Sequence, residues 1–170
     1  MCLKTVDPQH STILELRQGY EVDSHWLSGW TQRQTIILDA CREIVFKKSL
    51  SEGMRTLANA GPRLNPEKCR KYYKERIMAC APATIVAYSC DIDETAQDDS
   101  RRGGIYSFHL LRESRRWAQS RIPDSSPQFL SISQAHELAS TGVRREASDR
   151  QNPQIQKPRS APYFPFAVVA

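Results

Sequence analysis

The sequence predicts an α/β protein in which a largely parallel sheet is flanked by helices. Two runs carry that expectation. Thr35-Ile36-Ile37-Leu38 and Ala83-Thr84-Ile85-Val86-Ala87-Tyr88-Ser89 are short, apolar and rich in β-branched residues. Continuous apolar strands of this kind are buried on both faces, as in a parallel sheet. Helical stretches separate and follow them, and that alternation is the α/β pattern.

In chain order, residues 1–30 read as an irregular N-terminal segment. It holds one short helix near residues 11–18, where Ile13, Leu14 and Leu16 are apolar, and Trp26 and Trp30 pack against a neighbour. The remaining chain, 31–170, reads as one domain. Its first strand runs directly into Asp39-Ala40-Cys41-Arg42, and residues 42–60 read as loop plus a short helix. Asn65-Pro66-Glu67 starts a helix, with asparagine as cap and proline in the first turn. The basic stretch that follows is a surface helix, and Ala81-Pro82 ends it. The second strand closes on Cys90.

Residues 91–102 turn from acidic to basic without periodicity and read as an exposed loop. Gly103-Gly104 then releases the chain into a helix over 105–120, with Ile105, Phe108, Leu110, Leu111 and Trp117 towards one side. Residues 123–127 are a linker. A further amphipathic helix spans 131–147 and carries Ile132, Ala135, Leu138 and Ala139. Residues 148–162 are extended, and the apolar end, 163–170, makes a last strand.

Composition narrows the class. The chain has 170 residues, 39% hydrophobic and 25% charged, with a mean hydropathy of −0.57. That is an ordinary globular balance, neither disordered nor collagen-like. No apolar run reaches the roughly 20 residues of a membrane span, and the N-terminus lacks the basic-then-apolar order of a secretory signal. The expected setting is cytoplasmic, with no membrane partner. The net charge of +5 comes from 24 Lys and Arg against 19 Asp and Glu. These cations are spread over several segments without interleaved aromatics, so solvated helix faces are favoured over a nucleic-acid surface. The five cysteines, Cys2, Cys41, Cys69, Cys80 and Cys90, are odd in number and form no CxxC. Zinc fingers, thioredoxin-like sites and a disulfide framework are disfavoured, and thiols in a reducing compartment fit better.

In open α/β sheets, active residues sit just past the carboxyl ends of strands. Both apolar strands deliver a cysteine there. Cys41, one step beyond its strand and followed by Arg42, has the exposure and positive neighbour that a thiolate nucleophile needs. A half-buried cysteine without chemistry is the competing reading.

The motifs themselves decide between the two. Ile36-Ile37-Leu38-Asp39-Ala40-Cys41-Arg42 resembles the nucleophile strand of caspase-like cysteine peptidases, the group of caspases, metacaspases and bacterial caspase-domain proteins. Their strand ends in Asp-x-Cys. Ile85 to Cys90, then Asp93-Glu94-Thr95-Ala96-Gln97-Asp98, then Gly103-Gly104-Ile105-Tyr106-Ser107 and Leu110-Leu111, is similar to the family's next strand, substrate loop and helix. The resemblance implies a cysteine endopeptidase with Cys41 as nucleophile, a protein or peptide substrate, and no metal or cofactor in the chemistry. Asp39 matches the acid that lines the substrate pocket in metacaspase-like members, which implies a preference for Arg or Lys before the cut. Asp93 and Asp98 lie on the loop that helps form that pocket, or form a solvated acidic loop.

One departure stands out. The family's histidine sits in a Gly-His-Gly-like motif after an earlier strand, and no such motif occurs here. The upstream histidines are His10 and His25, and His25 is the candidate base although it stands close to Cys41. His109 and His136 fall inside helices, where they pack or face solvent. The family's first strands also have no counterpart in residues 1–30, which leaves an apolar sheet edge. Three expectations follow: a chain reduced at its N-terminal half, a small member whose sheet a partner chain completes, or an inactive relative acting as an interaction module. A basic nucleic-acid-binding protein is the alternative from another class.

Overall fold

The computed structural model describes residues 31–40, 64–99, 101–121 and 126–170, together with the backbone of 2–7, 11–17 and 20–23. The short helix expected within 42–60, and Trp26 and Trp30, lie outside the described residues. The segment expected to be irregular forms an antiparallel sheet of β1 (Cys2–Asp7), β2 (Ser11–Arg17) and β3 (Tyr20–Asp23), in that order. The helix expected near 11–18 is therefore a strand. Seven residues are too few to hold a helix unaided, whereas β2 finds partners on both sides, with Leu14 opposite Leu3 in β1 and Val22 in β3.

The two apolar runs form β4 (Arg33–Leu38) and β5 (Ala83–Tyr88), paired in parallel with Ile36 beside Val86 and Leu38 beside Tyr88. On the far side of β5 lies the antiparallel β9 (Gln154–Gln156), so this sheet is mixed, in the order β4-β5-β9. β5 is the central strand and is largely covered on both faces. β4 is not. Leu38 is buried, but Thr35 is exposed and Ile37 keeps 38% of its surface. The expectation of burial on both faces fails for β4 because it is the edge strand of the sheet as described.

The helices begin where their caps place them. In α1 (Pro66–Met78), the Asn65 side chain accepts from the N–H groups of Glu67 and Lys68, each at 3.1 Å. No residue of α1 is fully buried, as its basic sequence requires. After the two-residue strands β6 (Asp98–Asp99) and β7 (Gly103–Gly104), which pair antiparallel, comes α2 (Ile105–Arg121). The residues next to the expected linker form β8 (Gln128–Ser131), a strand the pattern did not announce, and α3 (Ile132–Glu146) starts from a capping box between Ser131 and Gln134. The last strand, β10 (Pro165–Val169), pairs antiparallel with β8 rather than joining β4 and β5.

One face of β5 and β9, carrying Ala87 and Ile155, packs on α2, α3, β8 and β10 through Ile105, Tyr106, Leu110, Leu130, Ala135, Ala139, Val143, Phe166 and Ala167. Ile85 continues that core with Ile132 and Phe164. Leu38, Ala40 and Tyr88 form a second cluster with Ile36 and Val86.

Two histidines sit inside, and neither faces solvent. His136 is 5% exposed; its Nδ1 lies 2.8 Å from the Tyr106 hydroxyl and its Nε2 3.3 Å from Ser140 Oγ. His109 is 1% exposed and meets Glu146 through Nε2 at 2.9 Å. Burial, reinforced by the charges of Lys157 and Arg144, lowers the His136 pKa to about 4. Burial also lowers that of His109, with Glu146 opposing and Arg112 assisting. Gly142 leaves room for the His109 ring: a Cβ there would lie 2.1 Å from Nδ1.

Two outcomes are expected. Gly142→Ala, which in an open helix would add about 0.5–1 kcal/mol, here lowers stability by about 1–3 kcal/mol through overpacking. Chemical denaturation measures the sign, and a gain contradicts the packing. The histidine contribution is fully present above the ordinary value of 6.5 and is lost as pH falls from there towards 4, because the unfolded chain takes up the protons first. His136→Gln flattens the denaturation midpoint between pH 6.5 and 5. A variant whose midpoint falls as steeply as that of the parent contradicts the assignment.

Candidate active site

The described part of β4 continues to Ala40, so Cys41, His25 and His10 lie outside the described residues. What stands immediately before Cys41 is held from β5. The Ser89 N–H donates to the Leu38 carbonyl at 3.0 Å. The Ala40 N–H donates to Ser89 Oγ at 3.1 Å, and the Ser89 hydroxyl donates to the Ala40 carbonyl at 3.0 Å. The Cys90 thiol reaches the same carbonyl at 3.4 Å, and that of Glu94 at 3.3 Å. Ser89 and Cys90 are both wholly buried. Beyond the last ladder pair, a serine hydroxyl thus takes over from the backbone and fixes the residue preceding the cysteine.

Asp39 turns its carboxylate towards the start of α2. The first turn of α2 has no acidic residue of its own, and Asp39 Oδ2 accepts the Ser107 N–H at 2.8 Å. This caps the helix from a different strand and places a negative charge at the positive end of its dipole. Gly104 makes the approach possible, since a Cβ there would lie 2.1 Å from Oδ2. Oδ1 is buried and has no hydrogen-bond partner among the described residues. Burial raises the Asp39 pKa above its ordinary value, outweighing the hydroxyl and N–H of Ser107, and the charge of Asp98 adds to the rise. Behind it, burial and then the Asp39 charge push the Tyr106 hydroxyl well above its usual range.

Of the pocket residues expected from the sequence, Asp98 acts on Asp39 through its charge, although its own side chain is exposed. Asp98 pairs in β6 with Gly104, the residue that touches the Asp39 carboxylate. Asp93 stands exposed in the turn closed by the Glu94 N–H to the Asp91 carbonyl, with φ 65°, and is not among the groups whose charge acts on Asp39. Arg102 is engaged by Asp99 and Glu146 at 3.1 and 2.7 Å and lies 4.7 Å from the Phe108 ring centroid.

Two residues escaped the sequence reading. Asn152 donates from its backbone and side chain to the Glu94 carboxylate, each at 2.6 Å. Burial pushes Glu94 up, but these donors outweigh it and its pKa is lowered. Gln151 Nε2 donates to the Ser89 carbonyl at 2.8 Å while its Oε1 accepts the Gln97 N–H at 2.9 Å. Both residues lie in a polar stretch with no local signal, and their partners are 54 to 62 residues away in sequence. No group of three or more His, Cys, Asp or Glu is poised to hold a metal among the described residues, and no described helix is long and apolar enough to cross a membrane.

An α/β sheet that presents Asp39 and Ala40 at the end of one strand, against a loop from the end of the next, is the frame of a caspase-like cysteine peptidase. The caspase domain matches the chain over residues 15–164, and the chain belongs to that family. The match reaches into the first thirty residues. Neither a curated protein nor a solved structure was found to match the chain.

Because the ionised Asp39 is disfavoured by burial, it costs stability at neutral pH. The stability it withholds returns as pH falls through its raised pKa. Asp39→Asn keeps an oxygen for the Ser107 N–H and removes the charge. Its urea midpoint at pH 7 is expected to lie above that of the parent chain; a lower midpoint contradicts the cost assigned to the carboxylate.

Proposed function

We propose that this protein is a cysteine endopeptidase that cuts after a basic residue, with residues 31–170 as the caspase-like unit. Cys41 is the nucleophile. Its sulfur attacks the scissile carbonyl, the amine leaves with a proton, and water then hydrolyses the thioester to the acid and the thiol. His25 is the general base in this proposal. The protein acts in a reducing compartment such as the cytoplasm, where the thiol is kept available.

The observation that carries the proposal is the Asp39 carboxylate. It is two residues from Cys41, desolvated, within the field of Asp98, and has one oxygen without a donor among the described residues. A guanidinium or ammonium group is the partner that satisfies it, because a cation offsets both the burial cost and the repulsion from Asp98. The clamp of Ser89 on Ala40 supports the same reading, since a nucleophile works best from a backbone that does not move.

Hydrolysis of two fluorogenic peptides, one with Arg and one with Asp before the cut, tests this. Arg-directed cleavage is expected, and it is abolished by Cys41→Ala. His25→Ala lowers kcat by about 100- to 10,000-fold while His10→Ala leaves it intact. Asp39→Asn, which folds better on the account above, costs about 100-fold in kcat/KM for the Arg peptide. A folded sample that cleaves neither peptide overturns the peptidase reading in favour of an inactive relative. Preference for the Asp peptide overturns the acidic pocket.

A further inference from the structure

Gln151 is wholly buried, yet it lies outside the chain segments that carry the nucleophile strand and the substrate loop. Its carboxamide joins the end of β5 to that loop. The NH2 end donates to the Ser89 carbonyl and the oxygen accepts the Gln97 N–H. Only this orientation satisfies both contacts, because a flipped amide would set donor against donor and acceptor against acceptor. The other backbone group of Gln97 is also taken: its carbonyl accepts the Ile105 N–H at 3.1 Å. Gln97 is therefore held between Gln151 and the first residue of α2, one position before Asp98.

β6 needs such a hold. It is a two-residue strand paired with a two-residue strand, and so short a ladder fixes its own position poorly. We infer that Gln151 is a positioning residue for the acidic pocket: it ties the loop carrying Asp98 to the end of β5, and so sets Asp98 against Asp39. Asn152 anchors the upstream part of the same loop through Glu94. This inference rests on the basic-residue pocket proposed above and names what fixes its geometry.

Benzamidine, which carries the charged amidine of an arginine-like side chain, probes the pocket without requiring chemistry. Its affinity is measured by NMR titration on the full chain and on two variants. Gln151→Met removes both hydrogen bonds at similar volume and is expected to weaken benzamidine about tenfold. Gln151→Glu also breaks the tie, because its carboxylate would face the Ser89 carbonyl acceptor to acceptor, and is expected to weaken benzamidine to a similar extent. A merely structural role would lower the urea midpoint of these variants and leave the benzamidine affinity of the folded chain unchanged. Unchanged affinity in a folded variant overturns the inference. If neither variant folds, hydrogen exchange of the Gln97 amide in the unaltered chain decides: protection supports the tie and rapid exchange overturns it. A chain that binds benzamidine but cleaves no Arg peptide overturns the peptidase reading and leaves this inference standing. A chain that binds no benzamidine overturns the inference, whatever it cleaves.

Discussion

The carboxylate of Asp39 is the constraint around which the described site is arranged. It supplies the acidic cap that the first turn of α2 lacks, by accepting the Ser107 N–H. That contact fixes where α2 begins relative to β4. It also dictates glycine at position 104, because any side chain there would occupy the carboxylate's place. β7 and its partner β6 are then held beside it, which brings Asp98 within reach. The arrangement has a cost: the charge is desolvated and lies near a second acid, so its pKa rises. Helix capping recovers part of that cost. An unfavourable charge kept in place is common where a site trades stability for recognition.

The end of β5 is the second organising element. Ser89 faces β4 with its hydroxyl and Gln151 with its carbonyl, so these two residues together link the end of β4, the loop that carries Gln97 and the segment after α3. Three distant parts of the chain thus converge there. The core beneath is largely apolar, with the His136 imidazole held between the Tyr106 and Ser140 hydroxyls. The Asp39 charge acts on Tyr106 from the other side, so the site and the core are coupled electrostatically.

Much of this was legible in the sequence wherever the cause is local. β-Branched runs gave β4 and β5, and Asn65-Pro66 marked the start of α1. Gly103-Gly104 marked the start of α2, and the resemblance at Asp39 and Cys41 pointed to the family. What was not legible is non-local. Ser11 to Arg17 shows apolar residues at spacings that suit a short helix or a strand, and pairing with β1 and β3 settles the choice. Ile37 is as apolar as its neighbours, and its exposure depends on β4 being the outer strand of its sheet. Gln151 and Asn152 look like ordinary residues of a polar stretch, since no periodicity encodes a hydrogen bond to a partner more than fifty residues away. The helix contact of Asp39 was not visible: the resemblance suggested a pocket role for it, but nothing local showed that it caps α2 from another strand.

The central claim is that Asp39 carries a desolvated charge that a cation relieves. Carbon-13 NMR titration of the aspartate carboxyl groups, assigned with Asp39→Asn, measures it directly, first on the free chain and then with saturating benzamidine. The account predicts a pKa above the ordinary 3.8 in the free chain, falling when benzamidine occupies the pocket. A free-chain value at or below 3.8, or one that benzamidine leaves unmoved, would contradict it.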